Sequence, residues 1–327
     1  MDASKKATSS ALSVDGAPDH TYGSRTLDED KDVWQHNAWY VEAAYRDHVV
    51  PPPEHESMVA ELLAKQAENP VPDDDAARYH ADPASYWDAF YARHENRFFK
   101  DRRWLHLEFP ELVAATKSDA GEQTVIEVGC GAGNTVFPLL AINENPKLKL
   151  VACDYAPQAV QVVKESELYK SPPCGKCEAY TWDLSSTSLP PGIEPGSVDI
   201  VVLIFVFSAL HPDEWKQAAE NVYQALKPGG MVLFRDYGRH DLPQLRFRKN
   251  RMLSDNFYVR GDGTRVYFFT PDELYSVFCA AKRGDEAVEG EHRFSTQQMA
   301  VDRRLLLNRK ERKQMYRVWM QVKFKKV

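Results

Sequence analysis

The sequence predicts an α/β fold in which a mostly parallel, seven-stranded sheet carries helices on both faces and ends in an antiparallel hairpin. After Gly121, apolar strand-like runs alternate with helical segments, which is the pattern of a parallel sheet. The first run leads into a glycine-rich turn, VIEVGCGAGNT. The last two runs, HRFSTQQMAVDRRLL and MYRVWMQVKFKK, are joined by a short basic loop and predict the hairpin.

The individual elements follow from the spacing of apolar residues. We expect parallel strands at residues 124–128, 149–153, 177–182, 198–205 and 231–235. The clearest intervening helices are at 157–167 and 212–225, the second ended by KPGG. The longest apolar run, at 198–210, contains an acid and is too short to span a membrane, so it predicts a buried strand.

The chain divides into three parts by composition. Residues 1–31 are rich in Ser, Ala, Asp and Gly and predict a disordered tail. Residues 32–120 are rich in aromatic residues, are broken by prolines, and predict a helical extension. Residues 121–327 predict the α/β domain. The N-terminus lacks an apolar signal segment, so we expect a cytoplasmic protein, with the nucleus as the alternative.

Charge is distributed unevenly along the chain. The formal net charge is -7, but residues 1–90 carry -11, residues 91–234 carry -5 and residues 235–327 carry +9. A basic C-terminal third favours a polyanionic partner such as nucleic acid, against the alternative of a solvated basic face.

The five cysteines predict neither a disulfide framework nor a metal centre. Only Cys174 and Cys177 form a CxxC pair, and no second pair or neighbouring histidine completes a tetrahedral zinc site. We interpret this segment as a polar turn between a helix and a strand, and we predict no metal.

The glycine-rich turn predicts a site where backbone approaches a ligand. Gly129, Gly131 and Gly133 lack the Cβ that would prevent such an approach. A nicotinamide-binding turn would carry a third glycine where this chain has Asn134. Glycine turns also serve packing alone, so the turn needs support from other residues.

Acids at successive strand ends supply that support. Asp154, with Tyr155 beside it, closes the second strand and can accept hydrogen bonds from ribose hydroxyls. Asp183 closes the third strand and can accept one from an adenine amine, while Leu184 and Ile204 offer apolar walls. Glu127 can pair with an ammonium group. Ribose, adenine and a cationic amino acid together describe S-adenosylmethionine, and a Rossmann-like class I methyltransferase fold. The alternative is that these acids are ordinary caps.

The segment LFRDYGRHDLPQLRFRKN, at residues 233–250, indicates where a substrate enters. An Asn/Asp-Pro-Pro-aromatic turn, common in enzymes that methylate exocyclic amines, is replaced by FSALHP, which favours a ring nitrogen as target. Such a nitrogen needs positioning and stabilisation of the cation formed. We assign Arg235, Asp236 and Tyr237 to these tasks. An internal Arg235–Asp236 ion pair is the alternative, and for His211 a helix cap is preferred to catalysis.

Basic residues near this segment and in the two flanking regions are the predicted RNA contacts. They are Arg97, Lys100, Arg102, Arg103, Arg239, Arg246, Arg248, Lys249, Arg251, Arg303, Arg304, Arg309, Lys310, Arg312 and Lys313.

Several long segments carry a family resemblance: DVWQHNAW, YWDAFYARHENRFFKDR, EVGCGAGNTVFPLL, LIFVFSALHPDE, LKPGGMVLFRDYGRHDLPQLRF, NFYVRGDGTRVYFFT and MYRVWMQVKF. They resemble the tRNA 3-methylcytidine methyltransferases, which modify cytidine 32 of the anticodon loop, and most of all the branch acting on threonine tRNA. Arginine or serine tRNA are alternatives.

The resemblance implies S-adenosylmethionine as cofactor, the tRNA anticodon stem-loop as partner, and a synthetase or adaptor protein as a further partner in some branches. It also places cofactor contacts on Trp87 and Tyr91, whose i, i+4 spacing puts both rings on one helix face. The extension would thus cover the cofactor and contact RNA. Two other functions remain open: a methyltransferase acting on a small molecule or a protein, and a non-catalytic RNA-binding module.

Overall fold

The computed structural model describes residues 51–102, 104–283, 286–308, 310 and 313–327, so the predicted tail at 1–31 lies outside the described residues. The strands are β1 (Gln123–Val128), β2 (Leu148–Asp154), β3 (Lys176–Thr181), β4 (Val198–Ile204), β5 (Leu226–Tyr237), β6 (Met252–Ser254), β7 (Phe257–Val259), β8 (Arg265–Tyr267), β9 (Ala280–Arg283), β10 (Glu286–His292), β11 (Phe294–Asn308) and β12 (Lys313–Lys326).

Seven strands form one sheet in the order β3-β2-β1-β4-β5-β12-β11. The pairs β1–β2, β1–β4, β2–β3 and β4–β5 are parallel, whereas β12 is antiparallel to both β5 and β11. The strand order reverses at β1, with β2 on one side and β4 on the other. This is the topological switch point, where open α/β sheets bind their ligands. The predicted mostly parallel sheet with a C-terminal hairpin is confirmed.

The helices are α1 (Pro53–Ala67), α2 (Asp73–Ala81), α3 (Pro83–His94), α4 (Leu105–Glu108), α5 (Pro110–Ala115), α6 (Val136–Ala141), α7 (Pro157–Glu165), α8 (Glu167–Lys170), α9 (Trp215–Ala225), α10 (Leu242–Arg246) and α11 (Pro271–Phe278). The predicted helix at 212–225 opens as a 3₁₀ turn, Pro212–Glu214. His211 caps this turn by accepting from the Asp213 amide, which confirms its role as a cap.

The two faces of the sheet bury separate apolar clusters because side chains alternate along each strand. One cluster joins β4 and β5 to α9, α11 and the hairpin, with Phe207, Phe234 and Phe324 fully buried. The other joins β1, β2 and β4 to α5, α6 and α7, around Phe109 and Leu140. Helices therefore cover both faces and leave the carboxyl ends of the parallel strands as the open edge.

The segment between β5 and α11 contains a second, three-stranded sheet, β6-β7-β8, which the sequence analysis did not predict. The turn signal GDG at 261–263 precedes β8 and could have suggested it. This sheet carries the N-terminal extension: the Val71 amide donates to the Met252 carbonyl at 2.8 Å. Gln66, 5% exposed, also donates to the Gln244 carbonyl and accepts from the Tyr258 hydroxyl.

The CxxC segment lies where it was predicted, between a helix and a strand. Cys174 lies in the turn before β3 and Cys177 lies within β3, and both are free thiols. Among the described residues, no group of three or more acids, histidines and cysteines is arranged to hold a metal ion. In the same part of the chain, no helix is long and apolar enough to cross a membrane.

Candidate active site

A cleft opens at the carboxyl ends of the parallel strands, beside the switch point. It encloses about 500 Å³ of empty space, part of it open to solvent. The lining residues come from α3, the glycine turn and the ends of β2, β3 and β4: Trp87, Tyr91, Val128, Gly129, Asp154, Tyr155, Trp182, Asp183, Leu184, Phe205, Val206, Ala209 and Leu210.

The three glycines of the turn have left-handed backbone and closely packed neighbours. All three have positive φ, but only Gly129 lines the cleft. A Cβ on Gly131 would lie 2.3 Å from the Tyr91 hydroxyl, and one on Gly133 would lie 2.4 Å from the Phe137 ring. A Cβ on Gly129 would lie 2.4 Å from Val206 Cγ2, so all three glycines make room for neighbouring side chains, in addition to giving the turn its left-handed backbone.

Asp154 is held at the end of β2 by backbone amides. Its Oδ2 accepts from Gly131 N at 2.9 Å and its Oδ1 accepts from Ala156 N at 3.0 Å. Burial raises the pKa of this carboxyl to about 6, although both amides favour the ionised form. The amides fix the carboxylate in place while further lone pairs remain able to accept ligand hydroxyls.

The far end of the cleft is formed by the turn after β3. Asp183 Oδ1 accepts from both the amide and the hydroxyl of Ser185 at 2.8 Å, which fixes the carboxylate. Leu184 is 3% exposed, and its carbonyl accepts from Asn221 Nδ2 at 2.7 Å. Trp182 adds an aromatic wall here that sequence reasoning missed, although it directly precedes Asp183.

The aromatic side of the cleft comes from the N-terminal extension. Trp87 and Tyr91 on α3 stack with ring centroids 6.1 Å apart and planes at 26°. Asp88 Oδ1, on the same helix, accepts from the Gln158 amide in the first turn of α7 at 2.7 Å. A carboxylate at that position also suits the positive end of the helix dipole, so α3 is anchored beside the glycine turn.

Tyr155 lines the cleft and brings a polar group without a partner. Its hydroxyl is buried and has no hydrogen-bond partner among the described residues. Burial raises the pKa of this phenol, so it is neutral at physiological pH and available as a donor. A buried polar group of this kind is expected to gain a partner when a polar ligand binds.

Glu127 does not face the cleft in the way its predicted ammonium contact requires. It is 3% exposed, and its Oε1 accepts from Arg102 Nη1 at 2.6 Å. Its Oε2 accepts from the Val136 amide. The carboxylate therefore lies behind the glycine turn and ties α6 to the chain entering from the extension. The prediction for Glu127 is corrected to a structural role.

The prediction that Arg102 contacts RNA is also corrected, because this side chain is bonded inside the protein. Besides Glu127, this guanidinium donates to the Thr135 hydroxyl and to the Ile204 carbonyl, and only 16% of its side chain is exposed. An arginine engaged in this way supports the turn instead of meeting RNA.

Ile204 points away from the cleft, contrary to prediction. It is 1% exposed and packs in the cluster under α5, α6 and α7. The chain turns at the next residue, because Phe205 has a φ of 57°, which is strained for a residue with a Cβ. The apolar wall is therefore made by Phe205 and Val206, one and two residues later than expected.

The end of β5 differs most from the prediction. Arg235 is 4% exposed, donates to Asp302 and Gln321, and lies between the rings of Trp104 and Trp319 at 5.2 and 4.9 Å. It does not border the cleft. The alternative of an internal ion pair is correct in kind, but the partner is Asp302 and not Asp236.

Asp236 is fully buried beneath the cleft. Its Oδ2 accepts from the Ser208 amide at 2.9 Å, and burial raises its pKa to about 6. It therefore holds the 3₁₀ turn Phe207–Ala209, whose last residue lines the cleft. Tyr237 is half-buried and packs 4.9 Å from the ring of Phe205, so of the three predicted residues it lies nearest to the lining.

The predicted RNA contacts that the structure describes differ in how exposed their side chains are. Side chains of Arg97, Lys100, Arg246, Arg248, Lys249 and Lys310 are exposed. Others have internal partners: Arg239 pairs with Glu273, Arg304 pairs with Asp302, and Arg251 donates to the Arg260 carbonyl. Arg303 is half-buried and also interacts within the protein. Arg103, Arg309, Arg312 and the side chain of Lys313 lie outside the described part of the chain.

Comparison with known proteins agrees with this geometry. A family model described as a methyltransferase domain matches residues 126–232, from β1 into β5. Two fixed carboxylates, a glycine turn and a pair of stacked aromatic rings meet at the switch point. The fold and the cleft define a methyltransferase that uses S-adenosylmethionine as methyl donor.

Similar sequences show which family of methyltransferases the chain belongs to. A tRNA N(3)-methylcytidine methyltransferase of Schizosaccharomyces pombe is 47% identical, covering 98% of this chain and 97% of the relative. A tRNA(Thr) (cytosine(32)-N(3))-methyltransferase of Saccharomyces cerevisiae is 48% identical over 93% of this chain, which spans 45% of the relative's length. A Drosophila melanogaster tRNA N(3)-methylcytidine methyltransferase is 40% identical over 93% of this chain and 88% of its own. The chain belongs to the family of tRNA N(3)-methylcytidine methyltransferases.

Proposed function

We propose that the protein methylates N3 of cytidine 32 in the anticodon loop of a tRNA, with threonine tRNA as the first candidate. The observation that carries this proposal is the cleft lined by Asp154, Asp183 and the Trp87–Tyr91 pair, in a chain 47% identical over nearly its whole length to a tRNA N(3)-methylcytidine methyltransferase. The relative named for tRNA(Thr) and cytosine 32 supports the finer assignment.

The proposed reaction does not need a general acid or a general base. When bound, S-adenosylmethionine supplies an electrophilic methyl group, which the N3 lone pair takes as the sulfur–carbon bond breaks, so no proton leaves. The positive charge moves from sulfur to the cytosine ring. The protein must therefore align the two groups, exclude water and tolerate the ring cation.

The cleft residues divide these tasks. Asp154 is placed to accept from the ribose hydroxyls, Asp183 to accept from the adenine amine, and Trp87 with Tyr91 to exclude water from above. Phe205 and Tyr237 present adjacent rings where a flipped base could stack. Asp236, beneath the turn Phe207–Ala209, contributes a buried negative charge and fixes that turn, without direct contact to the base.

RNA binding is assigned to the exposed basic residues. Arg246, Arg248 and Lys249 follow β5 at the same edge as the cleft, and Arg97 with Lys100 lie on the segment after α3. Contacts of this kind with phosphates give affinity and register without reading sequence. A synthetase or adaptor protein is a further candidate partner, and the extension beginning at residue 32 is proposed as lid and RNA platform.

Mass spectrometry of nucleosides tests the proposal. Threonine tRNA transcripts and cell-derived tRNA are incubated with the protein and methyl-labelled S-adenosylmethionine, with a transcript carrying uridine 32 as the matched control. Labelled 3-methylcytidine in the cytidine-32 tRNA alone is the expected result. Label elsewhere would refute the position, and the absence of label with both tRNAs, even after adding cell extract to supply a partner, would refute the substrate.

A methyltransferase acting on a small molecule or a protein is the alternative function. The salt dependence of tRNA binding separates the two, because each neutralised phosphate adds about -0.7 to the slope of log K against log salt for single strands. A steep slope that falls after Arg246, Arg248 and Lys249 are replaced by alanine supports RNA. The absence of measurable tRNA binding supports the alternative.

A further inference from the structure

A buried arginine that the proposed chemistry does not use lies behind the wall of the cleft. Arg265 on β8 is 2% exposed, and burying an unpaired guanidinium is costly. Its three groups reach three different elements. Nε donates to the Ala209 carbonyl at 3.2 Å, Nη1 lies 3.4 Å from His80 Nδ1, and Nη2 donates to Glu214 Oε2 at 3.5 Å.

The first partner belongs to the wall itself. Ala209 ends the 3₁₀ turn Phe207–Ala209 and lines the cleft, as does Leu210 after it. Asp236 holds the amide of Ser208 in this turn from the β5 side, while Arg265 holds the carbonyl of Ala209 from the β8 side. The buried Asp236 carboxylate thus fixes the turn at an amide donor, and the buried Arg265 guanidinium fixes it at a carbonyl acceptor.

The second partner belongs to the extension. His80 lies on α2, immediately before the helix that carries Trp87 and Tyr91. Its ring stacks on Phe257 at 5.9 Å and meets His211 edge-on at 4.8 Å. Because arginine can only donate, Nδ1 of His80 must be the unprotonated ring nitrogen in this contact. A neutral His80 therefore faces Arg265.

The third partner, Glu214, links the Arg265 guanidinium to the capped 3₁₀ turn that follows the cleft wall. Glu214 Oε2 also accepts from the His211 amide at 2.5 Å and so completes the cap of the segment after the wall. One guanidinium therefore joins the extension, the cleft wall and the helix cap behind it. A lysine could not replace it, because an ammonium is a point donor and lacks the planar fork that spans separated acceptors.

We propose that Arg265 is a positioning residue that locks the N-terminal extension to the cleft wall, and so sets the spacing between the Trp87–Tyr91 lid and the Ala209–Leu210 wall for S-adenosylmethionine. The lock would give the β6–β8 sheet, which lies outside the main sheet, a role at the cofactor cleft. Arg265 would thus influence the proposed reaction without touching the methyl donor or the RNA.

Calorimetry of S-adenosylmethionine binding to the full chain with Arg265→Lys tests this lock. We expect the affinity for S-adenosylmethionine to fall about tenfold, which is typical of the loss of one energetic coupling between two parts of a protein. We also expect faster hydrogen exchange in α2 and α3. Arg293→Lys is the matched control, because Arg293 pairs with Glu220 far from the cleft and its substitution should leave both readouts unchanged. A variant that melts earlier but binds the cofactor as the wild type does would overturn the proposal.

His80→Phe provides a second, independent test that retains the ring packing. It removes only the acceptor of Arg265, so we expect an affinity loss of about threefold. Combined with Arg265→Lys, it should cost little more than Arg265→Lys alone, since both changes break one interaction. Losses that multiply fully would show that the two residues act separately, and the lock would be rejected. Because binding is measured without RNA, the result does not depend on the tRNA substrate.

Discussion

Strands β2 and β5 both end near a buried aspartate, yet the two aspartates have different roles. Burial raises the pKa of Asp154 and of Asp236 to about 6. Asp154 is the last residue of β2 and lines the cleft, whereas β5 continues through Tyr237 because β12 pairs with it as far as Trp319. Asp154 therefore lies at the edge of the sheet and borders the cleft, whereas Asp236 lies inside the sheet.

The largest effect is expected at Arg235, the neighbour of Asp236 on β5. Arg235→Ala would leave the Asp302 carboxylate buried without its main partner, and breaking such a pair costs about 3–5 kcal/mol of stability. Urea unfolding measures the loss. Arg293→Ala, which breaks a partly exposed pair, should cost about 1 kcal/mol or less. Equal losses for the two variants would contradict the assignment of Arg235 as a buried structural cation.

A slightly smaller effect is expected at Asp154. Asp154→Ala removes the acceptor that we propose for two ribose hydroxyls, and charged hydrogen bonds of about 1.5–3 kcal/mol each predict a loss of at least about 100-fold in S-adenosylmethionine affinity. Isothermal calorimetry checks it. Asp199→Ala is a suitable control, because Asp199 accepts from Thr124 and Lys227 at the opposite end of the sheet. Unchanged binding in Asp154→Ala would remove the ribose assignment.

The next effect in size is the pH dependence of stability that the Asp154 carboxyl causes. Its folded pKa, about 6, lies above the ordinary value of 3.8, so the folded state binds this proton more tightly than the unfolded state. Stability relative to Asp154→Asn should therefore rise by about 2–3 kcal/mol as pH falls from 7 to 4. Cofactor affinity should fall over the same range, because protonation removes the negative charge and turns one acceptor oxygen into a donor. A flat difference curve would place the pKa of Asp154 near its ordinary value.

The smallest effect on the cofactor is expected at Asp236. Asp236→Asn keeps the size of the side chain, so S-adenosylmethionine affinity should stay within about threefold, while methyl transfer falls about tenfold through the loosened turn and the lost charge. Binding and single-turnover rates measured on one preparation separate the two. A parallel loss of affinity would mean that Asp236 acts as Asp154 does, and the contrast between the strand ends would fail.

Prediction from the sequence succeeded where the signal is local. Strand and helix order follow from apolar spacing, whereas Trp87 and Tyr91, which line the cleft, were implied only by the family resemblance. Asp154 and Asp183 were predicted from their positions at strand ends, and both line the cleft. The sequence failed where partners are distant: Glu127 meets Arg102, 25 residues away, and Arg235 meets Asp302, 67 residues away. Nothing local distinguishes these charges from those of a binding surface.

The order of strands and helices, the glycine turn and the row of acids at strand ends can be predicted from the sequence alone, because backbone sterics and side-chain periodicity act over a few residues. The tertiary structure decided which acids face the cleft. It placed Asp236 under a turn and enclosed Arg235 between two tryptophans, and a strained Phe205 moved the apolar wall past Ile204. These outcomes depend on how far each strand continues beside its neighbour, and that is set by packing between segments far apart in the chain.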